Sequence, residues 1–405
     1  MKHITIDGRQ LSYPGTGLFS DTVELLQTFQ ELGYASSISV FVEQEFNPSD
    51  WDLSHLDVQW IFVNVTRRNS ALVRWLSKAM TVPEPIERLI WANCVVQQLK
   101  KFSTNSQHLI PYLYNYGDLK KNIAIVPDLL YRIVNEETLD PRRPWWWNLR
   151  YKLPLRVYFR RWEETLVAQA KYLIVHSNFV KNHAYQELNI PFDRMFLIPQ
   201  GIPRWIVEKY DRDRDSLIKH QYFLPDRFVL YVGGFSPRKN IPLLLRACGR
   251  IYERDCAFRC VFVGLTEGFI QSGLGTPIRE VMNNSSIRAA AVNLPKLSYS
   301  ELASLYRLAN FIVYPSLSEG FGLPILEAAA AGKLCLCGDN SSMREIQPNA
   351  RYRLDSTDED AWVEAILKFW QNPAETEIAS QQCGELVRNY SWQKSAEKLW
   401  KLLQQ

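Results

Sequence analysis

Only seven of the 405 residues are cysteine, an odd number scattered through apolar runs such as Leu334–Cys337. That distribution excludes a disulfide framework and fits reduced, buried thiols. Cys256 and Cys260 supply at most half of a four-ligand metal site, and no second cluster of cysteine or histidine completes it. No stretch reaches the ~18 consecutive apolar residues that a membrane-spanning helix needs. The start, Met1-Lys-His-Ile-Thr-Ile-Asp7, has no long apolar run behind its lysine. It reads as a first strand rather than a signal peptide, so a protein that is soluble or bound at a membrane surface is expected, cytoplasmic by its reduced thiols. Charge of one sign is also scarce: 47 Lys+Arg against 43 Asp+Glu leave +4, too little to make nucleic-acid binding the main business. There are no repeats or low-complexity tracts, and 46% hydrophobic residues rule out a disordered chain.

The small net charge hides a concentration. Between Pro141 and Trp162 lie Arg142, Arg143, Arg150, Lys152, Arg156, Arg160 and Arg161 with no acid, interleaved with Trp145, Trp146, Trp147, Tyr151, Tyr158, Phe159 and Trp162. The segment carries +7, leaving about −3 for the rest of the chain. Arginine stems packed on tryptophan faces could simply cover a domain. The same composition suits an anionic membrane surface, with tryptophans at the interface, or a single-stranded nucleic-acid platform.

Short β-branched runs alternate with amphipathic segments from end to end, the pattern of parallel sheets covered by crossover helices. Strands are expected at His3–Ile6, Ser37–Val42, Trp60–Val63, Ile123–Val126, Tyr172–Val175 and Met195–Ile198. The alternation pauses after Pro199-Gln-Gly-Ile-Pro203 and restarts at Phe228–Val232. Further strands are expected near Cys260–Val263, Ala289–Leu294, Phe311–Tyr314 and Leu334–Cys337. The length suits two or three domains, and the pattern gives two α/β, doubly wound, Rossmann-like ones, residues 1–200 and 201–391. Residues 392–405 form a last amphipathic helix, with Trp392, Ala396, Leu399, Trp400 and Leu403 at helical spacing. Ligands in such sheets sit beyond the carboxyl ends of the strands, so two facing domains would enclose a cleft.

Two strand-end motifs carry chemistry. In Phe311–Gly332, a buried strand runs into Glu319-Gly320-Phe321-Gly322, Pro324 takes the first helical position, and Gly332 closes the helix. The amides of Gly322 and Leu323 would offer a phosphate seat at the helix start. Glu327, expected in the helix's first turn, would accept the vicinal hydroxyls of a ribose, and Glu319 would reach a second polyol. Either acid alone reads as an ordinary loop or first-turn charge; the pair, seven residues apart around Gly-Phe-Gly-Leu-Pro, is far more specific. The second motif follows the strand Phe228–Val232: a Gly233-Gly234 turn, then Arg238-Lys239-Asn240 before a helix. Small residues let a ligand approach the backbone, and two cations can neutralise a diphosphate. Asp211-Arg-Asp-Arg-Asp215 has the Asp-x-Asp spacing of metal-dependent sugar transferases but falls in a polar connector. It is expected to be a solvated charge run, and no metal is expected. Gly15-Thr-Gly17 lacks the third glycine and the strand-adjacent position of a dinucleotide fingerprint.

The runs Tyr231–Ala247, Leu297–Ala309 and Pro315–Glu345 resemble the retaining GT-B glycosyltransferases of glycosyltransferase family four, closest in flavour to bacterial enzymes that add mannose to surface polysaccharides. The resemblance covers residues 201–405 with specific motifs and the first 200 loosely. It implies a metal-independent, cofactor-free hexosyltransferase that moves a sugar, mannose from GDP-mannose as the best guess, from a nucleotide sugar to a saccharide acceptor. That acceptor would be of the polyprenyl-diphosphate-linked type, with residues 141–162 on the anionic inner membrane face and no nucleic-acid partner. It assigns the donor sugar to Glu319, the ribose to Glu327 and the diphosphate to Lys239, with Arg238 compensating where the family often has an arginine and this chain has Gly234. Gly17 falls in the family's first glycine loop, beside the diphosphate. Relatives commonly carry His-Asp where this chain has Pro127-Asp128, which leaves Asp128 as the remaining catalytic group there. Loss of that histidine also admits a non-catalytic nucleotide-sugar or saccharide-binding protein on the same scaffold.

Overall fold

The computed structural model describes residues 2–12, 17–63, 107–110, 122–126, 170–207, 212–265 and 275–405, together with Val95, Val167 and Ile270. The chain divides into two compact units, Met1–Gln200 with Trp392–Gln405, and Gly201–Ser391.

In the first unit, runs of four to six residues too short and too continuously apolar for an amphipathic helix pair as parallel strands. They are β1 (Ile4–Asp7), β2 (Ile38–Glu43), β3 (Gln59–Val63), β4 (Gln107–Ile110), β5 (Asn122–Val126), β6 (Tyr172–Val175) and the shorter β7 (Met195–Leu197). Among the described residues they lie in the order β3-β2-β1-β4-β5-β6-β7, and every pairing is parallel. The helix Gly17–Glu31 buries Phe19, Thr22, Leu25, Leu26 and Phe29, a stripe at helical spacing. Ser177 starts the helix Asn178–Leu188 by accepting from the Val180 amide at 3.2 Å, and Asn189 ends it in the left-handed region. The last helix, Trp392–Leu403, belongs to this unit: Trp400 stacks on Tyr34 with ring centres 4.4 Å apart, and Ser395 Oγ donates to the Pro199 carbonyl at 2.6 Å.

The second unit repeats the design. Its strands are β8 (Val229–Val232), β9 (Cys260–Val263), β10 (Ala291–Leu294), β11 (Phe311–Tyr314), β12 (Cys335–Gly338) and β13 (Arg353–Leu354). Among the described residues their order is β10-β9-β8-β11-β12-β13, all parallel. The helix Ile241–Arg254 buries Ile241, Leu244, Leu245, Cys248 and Ile251 against the sheet. Ser298 and Glu301 form a capping box that fixes the start of the helix Tyr299–Leu308. Two fully buried tryptophans anchor the core, each with its indole N–H satisfied: Trp362 donates to the Asp355 carbonyl at 3.0 Å and Trp370 to Asp255 Oδ2 at 2.8 Å.

Both sheets are of the doubly wound type that the alternation predicted. The strand order reverses between β1 and β4 in one and between β8 and β11 in the other, and those reversals are where such folds place ligands. Among the described residues no helix is long and apolar enough to cross a membrane.

Asp215, the last acid of the charge run, is not solvated as expected. Residues 212–221 form the helix Arg212–Gln221, which sets Asp215 on its inward face with only 6% of its surface exposed. There it accepts two hydrogen bonds from the Arg307 guanidinium, at 2.7 and 3.1 Å. A carboxylate taken out of water needs such a fork, and removing it leaves a buried cation behind. Asp215→Ala is therefore expected to destabilise the protein by about 3 kcal/mol in denaturant unfolding. A loss within the few tenths typical of surface positions would show that the pair is solvated.

Candidate active site

The site grows from the strand ends on either side of the second reversal. After β8 the chain turns through Gly233-Gly234, where the Tyr231 hydroxyl donates to the Gly234 carbonyl at 2.6 Å. It continues through a 3-10 turn, Pro237–Lys239, and Asn240 enters the left-handed region so that the next helix can begin. After β11 the loop runs to Gly322, whose φ of 110° suits glycine, and the helix Leu323–Ala330 begins with Pro324 in its first turn. The Leu317 amide donates to the Arg238 carbonyl at 2.7 Å and ties the two loops together.

Glu319 is the centre. One carboxylate oxygen, Oε1, lies 2.6 Å from Arg238 Nη1 and 2.7 Å from Lys239 Nζ. The same oxygen accepts from the Tyr314 hydroxyl at 2.8 Å and the Ser316 hydroxyl at 2.6 Å. Burial alone would raise the Glu319 carboxyl, yet the Lys239 and Arg238 charges outweigh it and hold the group at about 2. It is ionised throughout the neutral range. The Lys239 and Glu319 side chains are 10% and 8% exposed and Arg238 23%, so the lysine is fixed inside while the arginine reaches solvent. Two cations facing one carboxylate leave a local excess of +1 at a strand-end loop.

Glu327 has the opposite setting. It lies one residue beyond the first turn of the helix rather than within it, because the helix begins at Leu323. Its Oε2 accepts from the Tyr306 hydroxyl at 2.6 Å. Burial raises its carboxyl to about 7, opposed by the Tyr306 hydrogen bond and the Lys239 charge. Lys239 thus acts on both acids.

A third loop closes the arrangement from behind. Past β12, the Ser342 hydroxyl lies 2.8 Å from the Glu319 carbonyl and 2.7 Å from that of Phe321, and Ser341 Oγ accepts from the Glu319 amide at 2.9 Å. Gly338 permits this approach: a Cβ there would sit 2.6 Å from the Ser316 carbonyl oxygen.

Arg238, Lys239 and Glu319 meet directly. Gly320, Phe321 and Gly322 are buried in the connecting loop, with Phe321 packed edge-on against Tyr390, and Leu323 opens the helix. Gly234 is exposed with open space around it. In the first unit, Gly17 is the exposed first residue of its helix, and Asp128, Pro127 and the basic segment 141–162 lie outside the described residues. His176, at the end of β6, is buried, and its Nδ1 meets the Ile198 carbonyl at 2.8 Å; burial drops its pKa to about 4, so it is neutral. Tyr314, Ser316, Tyr306, Ser341 and Ser342 were not singled out from the sequence. Among the described residues no group of three or more His, Cys, Asp or Glu side chains is placed to hold a metal.

Two doubly wound units with this strand-end site define the GT-B class. Residues 214–390, nearly all of the second unit, match the family described as Glycosyl transferases group 1. Among sequence relatives, the chain is 27% identical over 225 residues to the O-antigen chain mannosyltransferase B of Escherichia coli, covering 55% of this chain and 58% of that one. It is 25% identical over 244 residues to the D-inositol 3-phosphate glycosyltransferase of Rhodococcus opacus, covering 58% and 54%. The match thus spans little more than half the length of these relatives. The fold as a whole is similar to that of Anabaena HepE in complex with UDP-glucose, with a TM-score of 0.70 at 12% identity over 99% of this chain and 98% of the other.

Neutralising the Glu319 charge while keeping its shape should free both cations for an anion. Glu319→Gln is expected to bind inorganic pyrophosphate about tenfold or more tightly than the unaltered protein, measured by calorimetry. Weaker binding would show that the carboxylate does not compete for Lys239 and Arg238.

Proposed function

We propose that this chain is a retaining, metal-independent glycosyltransferase that moves a sugar from a nucleotide diphosphate donor to a saccharide acceptor. The observation that carries the reading is the Arg238–Lys239–Glu319 cluster at the sheet reversal, beside a helix start, inside a Glycosyl transferases group 1 domain. Mannose from GDP-mannose is the preferred donor, supported by the mannosyltransferase relative, and surface polysaccharide synthesis is the preferred setting. The second unit is assigned to the donor and the first to the acceptor, with Asp128 as a catalytic group of the first unit and Gly17 beside the donor diphosphate.

In this reading the bond between the anomeric carbon and the diphosphate oxygen breaks, and the oxygen leaves with the electron pair. Lys239, Arg238 and the amides of Gly322 and Leu323 stabilise the charge that develops on it. Glu319 orients the sugar and Glu327 accepts from the ribose hydroxyls. The acceptor hydroxyl attacks the same face of the sugar, and its proton passes to the departing phosphate oxygen, so no enzymic nucleophile is required.

Because Glu327 titrates at about 7, its accepting form gains ground as pH rises. Donor affinity is expected to climb from about pH 6 to about pH 8 with a midpoint near the Glu327 pKa. The climb should vanish in Glu327→Ala, with donor KM raised about tenfold. A Glu327→Ala enzyme with full activity and the same pH profile would remove the ribose assignment.

The acceptor is proposed to be lipid-linked, with residues 141–162 holding the protein to anionic headgroups on the inner membrane face. Sedimentation with anionic liposomes should fall when Trp145, Trp146 and Trp147 are replaced by serine. Equal recovery in the pellet would take away the case for those tryptophans.

A further inference from the structure

Tyr314 is the last residue of β11 and is 1% exposed, with its ring stacked on Tyr231 at 6.4 Å between centres. A phenol at that depth needs hydrogen-bond partners, and Tyr314 takes them from the site itself. Lys239 Nζ donates to its oxygen, and its own O–H donates to Glu319 Oε1 at 2.8 Å. The same ammonium lies 4.6 Å from the centre of its ring. Burial and the neighbouring Glu319 charge raise the phenol far above its usual range, so it keeps its proton and acts only as a neutral bridge. The neighbouring Tyr231 spends its hydroxyl on the Gly234 carbonyl instead.

These contacts matter most when phosphates arrive. An incoming diphosphate competes with Glu319 for Arg238 and Lys239, which withdraws the two charged partners of the carboxylate. The Tyr314 and Ser316 hydroxyls stay, because one is fixed at a central strand end and the other is fully buried two residues on. We propose that Tyr314 is a positioning residue for the transfer: its hydroxyl keeps the Glu319 carboxylate aimed and the Lys239 ammonium directed while the donor phosphates share the lysine's charge. This rests on the glycosyltransferase reading of the same site.

The test compares the unaltered protein with Tyr314→Phe, which removes one oxygen and keeps the packed ring. GDP and UDP binding is measured by calorimetry, and release of nucleoside diphosphate is followed from GDP-mannose or UDP-glucose. The expected result is a kcat at least tenfold lower, with the nucleoside diphosphate Kd changed less than threefold at unchanged stoichiometry and melting temperature. In a Glu319→Gln background the same substitution should change kcat less than threefold, since the hydroxyl then has lost the charge it steers. An equal loss in both backgrounds, or a Tyr314→Phe protein with a collapsed melting transition, would make the hydroxyl merely structural and overturn the proposal. An unchanged kcat would overturn it as well. If the unaltered protein neither binds GDP or UDP nor turns over either donor, the glycosyltransferase reading falls and this role falls with it.

Discussion

A single buried carboxylate oxygen organises the second unit's loops. Glu319 Oε1 draws in Lys239, Arg238, Tyr314 and Ser316, each at 2.8 Å or less. Burying that acid without cations would be prohibitive, and burying Lys239 without it would be as costly. The charges therefore hold the loops after β8 and β11 in one arrangement, and the Leu317–Arg238 backbone bond keeps it in register. The strand order brings these loops together: they follow the two central neighbours between which the sheet reverses.

The two acids of the site show how environment divides labour between identical side chains. Glu319, faced by two cations, is held at about 2, and Glu327, where burial outweighs a phenol donor and the Lys239 charge, is raised to about 7. One is a permanent anion and counterion to the phosphate-binding cations. The other is poised at neutral pH, ready to be ionised by a ligand that donates to it. Such divergence of neighbouring carboxyl groups is a recurrent mark of functional sites.

Much of this could be read from the chain before folding. Short apolar runs between amphipathic segments give the doubly wound class, and the spacing from Glu319 through Gly322 and Pro324 to Glu327 singles out a strand–loop–helix junction. The rest depended on information that a linear pattern does not carry. Tyr314 looks like any aromatic at the end of a buried strand; its hydroxyl matters only because Lys239, 75 positions away, folds onto it. Ser341 and Ser342 enter from a third loop with no motif of its own. Strand β4 was missed because a polar stretch precedes it and Gln107 and His108 take two of its four places. Asp215 reads as one more acid in a solvated run until the helix turns it toward Arg307.

The central claim, that the Glu319 cluster serves a nucleotide diphosphate sugar, is tested most directly by thermal unfolding in the presence of common nucleotide sugars and their nucleoside diphosphates. A ligand held only by the folded state raises the midpoint progressively with concentration. At least one nucleotide sugar, GDP-mannose in the first instance, should do so in the unaltered protein, and much less in Lys239→Met. No shift with any of them, or a shift that Lys239→Met leaves intact, would contradict the assignment.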